Sequence, residues 1–320
     1  MSIRWGLLGC GDIAIKRVAE AIQSDPRSQL TAACRRDDEK LRAFASRFDV
    51  PHLTTRADEL ISRADIDAVY IATPVHLHCD QTVAAAGAGK HVLVEKPMAV
   101  STEQCEAMIE ACDHARVALG VAYYRRFYPS VCYVKELIDS GELGRPLSIL
   151  AVTGNSNRFD ADDWRVVPAL GGGGPLMDIG SHRLDLFEML FGEALHVDSQ
   201  LGGSTAYEAE ESATLMIRFN GGVHGVLQCY FGTVNTPDRL EVIGTDGRVT
   251  IEDLNGDEVQ VVTAEGSHTR SLPPDDNFHT PLIRDFTEAI ETGRKPAIAG
   301  ELGIRTNEVI ARAYRGRVES

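Results

Sequence analysis

Leu7-Leu8-Gly9-Cys10-Gly11-Asp12-Ile13-Ala14 joins an apolar run, Ile3 to Leu8, to a helical pattern, Ile13 to Gln23. A G-x-G-x-x-A sequence in that place has a mechanical reading. The first glycine allows a tight turn, the second lets the backbone approach a pyrophosphate, and the small Ala14 permits close helix packing while the helix N-terminus faces the negative charge. With a strand before it and a helix after it, the stretch reads as a dinucleotide-binding turn. Gly9, Gly11, Asp12 and Ile13 are therefore cofactor-binding candidates.

Outward from this turn, Leu30 to Cys34, Ala68 to Ala72, His91 to Val94 and Val117 to Val121 read as further strands. They are continuously apolar, as expected of a parallel sheet buried on both faces. Helical patterns at Asp38 to Phe48, His78 to Ala88 and Thr102 to Ala115 separate them, which implies right-handed crossovers and a doubly wound sheet. After about Tyr123 the texture changes: a helix at Pro129 to Asp139, a strand at Leu147 to Thr153, then Gly171 to Gly174 opening a helix through Leu190. From His196 onward it is strand-like, with Leu215 to Phe219, Val223 to Tyr230, Leu240 to Ile243, Arg248 to Ile251 and Val259 to Val262 separated by turn signals such as Asp246-Gly247. Helices at Thr280 to Thr292 and Leu302 to Tyr314 close the chain. The fold class is α/β: a doubly wound, NAD(P)-binding Rossmann domain over 1–122, then an α+β domain on a largely antiparallel open sheet over 123–320.

The length of 320 residues favours two domains, and the balance of 32 Lys+Arg against 47 Asp+Glu gives a net charge of -15. That charge repels phosphate backbones and anionic membranes, so nucleic acid and membrane surfaces are not expected partners. No apolar stretch approaches the roughly 18 residues a membrane helix needs. Seven Cys, an odd number without C-x-x-C spacing, argue against a disulfide framework and a zinc site, leaving reduced thiols in a cytoplasmic protein as the expectation.

In this fold the end of the second strand reads the adenosine ribose: an acid bonds the 2′-hydroxyl of NAD, and Arg accommodates the 2′-phosphate of NADP. Here the segment is Cys34-Arg35-Arg36-Asp37. Arg35 and Arg36 stand where the acid would be, and guanidinium groups make charge-assisted bonds to phosphate, so NADP is expected ahead of NAD. The alternative is that Asp37 does the acid's work a residue or two late. Thr73, Pro74 and His76 follow the Ala68 to Ala72 strand at the carboxyl edge and are placed to line the nicotinamide half. His76 and His78 lack a nearby third ligand, so hydrogen-bonded or solvated imidazoles are the expectation there.

Val94-Glu95-Lys96-Pro97 ends another strand at that edge, and Gly171-Gly172-Gly173-Gly174 leads into Asp178-Ile179-Gly180-Ser181-His182. G-x-G-x-x-A, Thr-Pro-x-His, Glu-Lys-Pro and a glycine run before Asp-x-x-x-His, in this order and at these separations, resemble the glucose-fructose oxidoreductase / inositol dehydrogenase family, Gfo/Idh/MocA. The resemblance covers essentially the whole chain. It implies hydride transfer between NAD(P) and a hydroxyl-bearing carbon of a sugar, polyol or other cyclic alcohol. By position Lys96 matches the family's catalytic lysine, with Glu95 and Pro97 fixing its backbone, and both Glu95 and Lys96 are also cofactor-contact candidates. Near a cationic nicotinamide and partly desolvated, a Lys pKa falls, which suits proton transfer at the reacting oxygen.

Asp178 and His182 are four apart, hence on one helical face, with Asp185 three further along the same stripe. The resemblance makes Asp178 and His182 substrate-pocket residues sharing a proton relay with Lys96, and whether Lys or His carries the proton differs between members. Two ligands do not hold zinc firmly, and no metal is expected. Tyr123-Tyr124-Arg125-Arg126-Phe127 stands where members often carry Gly-Tyr-Asn-Arg-Arg-Phe, with Tyr124 in place of Asn. Arg125, Trp164 and Arg165 join Lys96, Asp178 and His182 as substrate-binding candidates. A reductase of an anhydro or keto sugar, an aldose 1-dehydrogenase and a trans-dihydrodiol dehydrogenase stay open, beside an NAD-dependent inositol or sugar dehydrogenase and a non-catalytic NADP-binding redox sensor. Family members commonly pair their C-terminal sheets, so a homodimer or homotetramer is expected.

Overall fold

Six short strands assemble side by side, all but the exposed edge strand His52–Thr54 being apolar runs that bury both faces. In this computed structural model, which describes residues 2–316, they are Ile3–Leu8 (β1), Ser28–Cys34 (β2), His52–Thr54 (β3), Ala68–Ile71 (β4), His91–Val94 (β5) and Leu119–Val121 (β6). They pair in the order β3-β2-β1-β4-β5-β6, parallel throughout. The order reverses between β1 and β4, the switch point at which open α/β sheets bind ligands beyond the carboxyl ends of their strands. Helices Asp38–Phe48, Ala57–Ile61, His78–Gly87 and Thr102–Ala115 connect the strands. Two of them start on side-chain caps: Asp37 accepts from the Lys40 N–H at 3.0 Å and Ser101 from the Gln104 N–H at 3.3 Å.

Two compact units divide the chain: Met1–Tyr124 with Asp275–Ile304, and Arg125–Pro274 with Arg305–Ser320. A linear boundary at 122/123 assigns both closing helices to the second domain, whereas the structure returns Asp275–Ile304 to the first unit. The cause is packing. Helix Thr280–Thr292 buries Leu282, Ile283, Phe286 and Ala289, and Phe286 meets the fully buried Trp5 of β1 with ring centroids 5.7 Å apart. The returning chain also bonds to the edge of β6, where the Val121 N–H donates to the Ile298 carbonyl at 2.9 Å.

The second unit is built on eight strands: Pro146–Gly154 (β7), Ala194–Gly203 (β8), Glu210–Phe219 (β9), His224–Tyr230 (β10), Arg239–Gly244 (β11), Gly247–Ile251 (β12), Glu258–Thr263 (β13) and Gly266–Ser271 (β14). Their order is β14-β13-β12-β11-β7-β10-β9-β8. All neighbours are antiparallel except β7 and β10, which run parallel at the centre. Alternate residues bury one face, as with Ala213, Leu215, Ile217 and Phe219 of β9. Helix Ser181–Phe191 packs there, Phe187 meeting Phe219 edge-on at 6.3 Å. Among the described residues no helix is long and apolar enough to cross a membrane.

Candidate active site

Gly9 follows β1 with φ +91°, and a Cβ there would lie 2.5 Å from the Ala72 carbonyl oxygen and 2.8 Å from the Thr73 nitrogen. Both the backbone angle and the close approach of the Thr73 loop therefore demand glycine. At Gly11 the situation is opposite: no atom lies within 4 Å of where a Cβ would point, which leaves the backbone open to a bound diphosphate. The helix that follows begins with a π-helical turn, Ala14–Val18, in which the Ala19 N–H reaches back to the Ala14 carbonyl. Such one-residue insertions recur at functional sites. Asp12 is exposed and pairs with Lys16 at 3.2 Å, and Ile13 is half-buried.

At the end of β2, Arg35 donates from Nη1 to the Cys10 carbonyl, which folds its guanidinium over the glycine turn, while Arg36 is exposed. Asp37 is engaged elsewhere. Besides capping the next helix it pairs with Lys40 Nζ at 3.2 Å, and the bond from the Lys40 N–H, foremost, holds its carboxyl below the usual range. The glycine turn, the open space at Gly11 and the Arg35 side chain together fit a dinucleotide.

The next two loops along this edge are tied to each other by His78, a residue that sequence reading left without a role. His78 is buried, donates from Nε2 to the Thr73 carbonyl at 2.8 Å, and presents Nδ1 to the Pro97 and Met98 carbonyls at 3.2 and 3.3 Å. Burial lowers its pKa. Thr73 donates from Oγ1 to Gln81 Oε1 at 2.7 Å, Pro74 and His76 are half-buried, and among the described residues His76 Nδ1 has no hydrogen-bond partner. Lys96, half-buried, follows β5, and its bond to Pro97 is cis. The Glu95 side chain turns inward, accepting from Tyr70 O–H at 2.7 Å and from the Lys96 N–H at 3.2 Å. Burial works against its charge, but His279, Tyr70 and Lys96 prevail and hold the carboxyl below the usual range.

In the second unit the four-glycine run answers a packing need. Buried Glu210 accepts from the Gly174 N–H at 3.0 Å, the Leu176 N–H at 3.1 Å and Tyr314 O–H at 3.0 Å. A Cβ on Gly173 would strike the Tyr314 hydroxyl, and one on Gly174 the Glu210 carbonyl oxygen. Glu210 thus caps the element carrying Asp178 and His182, a role with no local sequence signal. That element is a π-helical turn, Leu176–Gly180, continuing into Ser181–Phe191, instead of one regular helix from the glycines.

The wider turn makes Asp178, His182 and Asp185 less than a single α-helical stripe. Asp178 is half-buried in the turn, His182 is buried, and Asp185 is fully buried against Arg126 at 2.7 Å. Arg125 is buried 3.5 Å from Asp238, which Arg183 also contacts, so Arg125 sits in an internal ion cluster. Arg165 lies 4.4 Å over the Trp164 ring and 3.3 Å from Asp163. A Cβ on Gly171 would be 2.5 Å from the Trp164 carbonyl oxygen, so the Trp164-Arg165 backbone lies against the start of the glycine run.

Residues 3–123 match the model of an oxidoreductase family with an NAD-binding Rossmann fold, GFO_IDH_MocA, and residues 131–250 match the GFO/IDH/MocA C-terminal domain. The 1,5-anhydro-D-fructose reductase of Ensifer adhaerens is 30% identical over 309 residues, 94% of this chain and 92% of that one. The chain belongs to the Gfo/Idh/MocA family. A second relative, Oxidoreductase P35 of Formosa agariphila, is 36% identical over 255 residues, 78% of each chain. The aldose-aldose oxidoreductase of Caulobacter crescentus, solved with glycerol, superposes with a TM-score of 0.90 at 30% identity, covering 99% of this chain and 97% of that one. This Gfo/Idh/MocA chain is an NAD(P)-dependent oxidoreductase.

Behind the Asp178–His182 element of this Gfo/Idh/MocA chain, Glu188 is buried and accepts from Thr306 Oγ1 at 3.1 Å. Burial, helped by nearby Asp185, pushes its carboxyl up to about 8 from 4.5. The folded state therefore keeps a proton that the unfolded chain releases between those values. Its stabilising effect is full below the unfolded value and is lost as pH rises through the folded one. Thermal denaturation should show wild-type stability falling across this window, and Glu188→Gln removing that slope so that the variant gains on wild type by about pH 9. Parallel curves would place the Glu188 proton elsewhere.

Proposed function

We propose that this chain is an NADP-dependent oxidoreductase that moves hydride between the nicotinamide and a carbinol or carbonyl carbon of a sugar, polyol or cyclic diol, with Lys96 carrying the proton. The observation that carries this reading is the position of Lys96: it follows β5 at the same carboxyl edge as the Gly9 turn and the Thr73 loop. The names of the relatives, a 1,5-anhydro sugar reductase and an aldose oxidoreductase, support a sugar-like substrate and action on CH–OH groups.

When bound, the nicotinamide supplies or takes up the hydride. Lys96 gives a proton to the oxygen of a carbonyl being reduced, or takes one from a hydroxyl being oxidised. Asp178 and His182 hold neighbouring hydroxyls: a carboxylate accepts from O–H, and an imidazole can donate or accept. Their positions are set by the Glu210 cap and the Arg126–Asp185 ion pair. Arg35 favours NADP because its charge stands at the end of β2 while Asp37 is occupied by Lys40.

The test is absorbance of reduced nicotinamide against a panel of aldoses, inositols, anhydro and keto sugars and cyclic diols, each with NADP and with NAD. Turnover on one substrate group, faster with NADP, is the expected result. Silence across the panel while NADPH still binds would favour a non-catalytic redox sensor, and faster turnover with NAD would overturn the cofactor assignment.

A further inference from the structure

Beneath Lys96 lies a buried network that hydride transfer does not itself require. Glu95 Oε1 receives two donors, Tyr70 O–H at 2.7 Å and His279 Nε2 at 3.4 Å, and Oε2 receives the Lys96 N–H at 3.2 Å. His279 arrives from 184 residues along the chain, is completely buried, and meets the Tyr124 ring at a tilt of 33° with centroids 4.5 Å apart. Among the described residues its Nδ1 has no hydrogen-bond partner, and with a proton on Nε2 the ring donates to Glu95.

The segment that delivers His279 is anchored at its other end to the helix following the glycine turn. Asn277 Nδ2 donates to the Arg17 carbonyl at 2.8 Å, Arg17 donates to the Asp276 carbonyl at 3.2 Å, and the Arg17 guanidinium lies 4.1 Å over the Phe278 ring. The His279 N–H closes on Asn277 Oδ1 at 3.1 Å, so residues 276–279 form one bonded bracket. An unbroken series of contacts thus runs from the nucleotide-loop helix to the Lys96 backbone, through the Glu95 carboxylate that accepts from its N–H.

We propose that His279, with Tyr70, is a positioning residue: their two bonds fix the Glu95 carboxylate in the orientation that holds the Lys96 backbone, and the bracket sets this geometry relative to the nucleotide-loop helix. The inference rests on the assignment of Lys96 as proton carrier. Misplacing a reacting group by about an ångström can cost up to ~100-fold in rate, and a positioning defect appears in kcat more than in cofactor affinity.

His279→Leu removes the donor, His279→Gln keeps an N–H at similar reach, and Tyr70→Phe deletes a single hydroxyl. The first readout is hydrogen exchange, by mass spectrometry, of the peptide carrying Lys96 in the cofactor-free protein. His279→Leu and Tyr70→Phe should each speed it about 10-fold and lower kcat about 10-fold, with the NADPH Kd within about 2-fold, and His279→Gln should restore most of both. If His279→Leu fails to fold, Tyr70→Phe alone decides. Unchanged exchange and kcat in the folded variants overturns the proposal, as does a kcat loss with unchanged exchange. Lys96→Met, run alongside, separates the failures: normal turnover there removes the functional reading and this inference together, whereas an inactive Lys96→Met beside wild-type-like His279→Leu and Tyr70→Phe removes only the inference.

Discussion

Replacing Lys96 by Met should lower kcat by about 10³-fold while leaving the NADPH Kd within a few fold. General acid–base catalysis typically contributes about 10²- to 10⁴-fold, and Met keeps much of the bulk of Lys while offering no proton. Cofactor affinity should survive because the groups proposed to face the phosphates are elsewhere, in the Gly9 turn after β1 and at Arg35 after β2, whereas Lys96 follows β5. The Glu95 carboxylate accepts from the backbone N–H of Lys96, so the substitution leaves that bond in place. Single-turnover kinetics with stopped-flow absorbance separates the chemical step from release of product. A variant retaining near-normal turnover would move the proton to another group, with His182 first in line.

What this prediction depends on was largely legible from residue order. The Gly9 turn, the strand before it and the Glu95-Lys96-Pro97 strand end are local patterns, and local patterns survive in a sequence. Features made by partners distant along the chain do not. Glu210 shows nothing nearby to mark it as the cap of Gly174, and His279 is ordinary until the chain folds back on Glu95. The return of helix Thr280–Thr292 to the first unit is of the same kind, decided by Phe286 finding Trp5.

A second class of feature escaped for a different reason. β3 is three residues at a sheet edge, and all six residues of β14 are exposed, so neither carries the apolar alternation by which strands are recognised. The π-helical turns at Ala14–Val18 and Leu176–Gly180 add one residue to a helix without disturbing its hydrophobic pattern visibly. The second of these shifts Asp178 relative to Asp185, and the Arg126 ion pair then accounts for Asp185. The parallel pairing of β7 with β10 is likewise invisible locally, because inward-facing periodicity is the same in either direction.

Arg35→Asp should lower the NADPH-to-NADH affinity ratio by about 100-fold or more. A hydrogen bond to a charged group is worth about 1.5–3 kcal/mol, and reversing the charge adds repulsion from a dianionic phosphate to the loss of that bond, so the combined change reaches about 2.8 kcal/mol, two factors of ten. The same carboxylate can accept from the 2′-hydroxyl of NADH, which moves the ratio further in that direction. One complication is structural: Arg35 donates to the Cys10 carbonyl, so its loss loosens the glycine turn for either cofactor. Taking the ratio cancels this shared effect, since both dinucleotides place the same diphosphate on that turn. Arg36→Asp supplies the graded comparison, with a smaller change expected because Arg36 is exposed whereas Arg35 lies against the turn. Fluorescence titration of each protein with NADPH and NADH gives all the constants needed. An unchanged ratio in Arg35→Asp would mean that the 2′-phosphate is read by another cation. Lys40 would then be the first to test, because it lies in the first turn of the helix after β2 and is held there by Asp37.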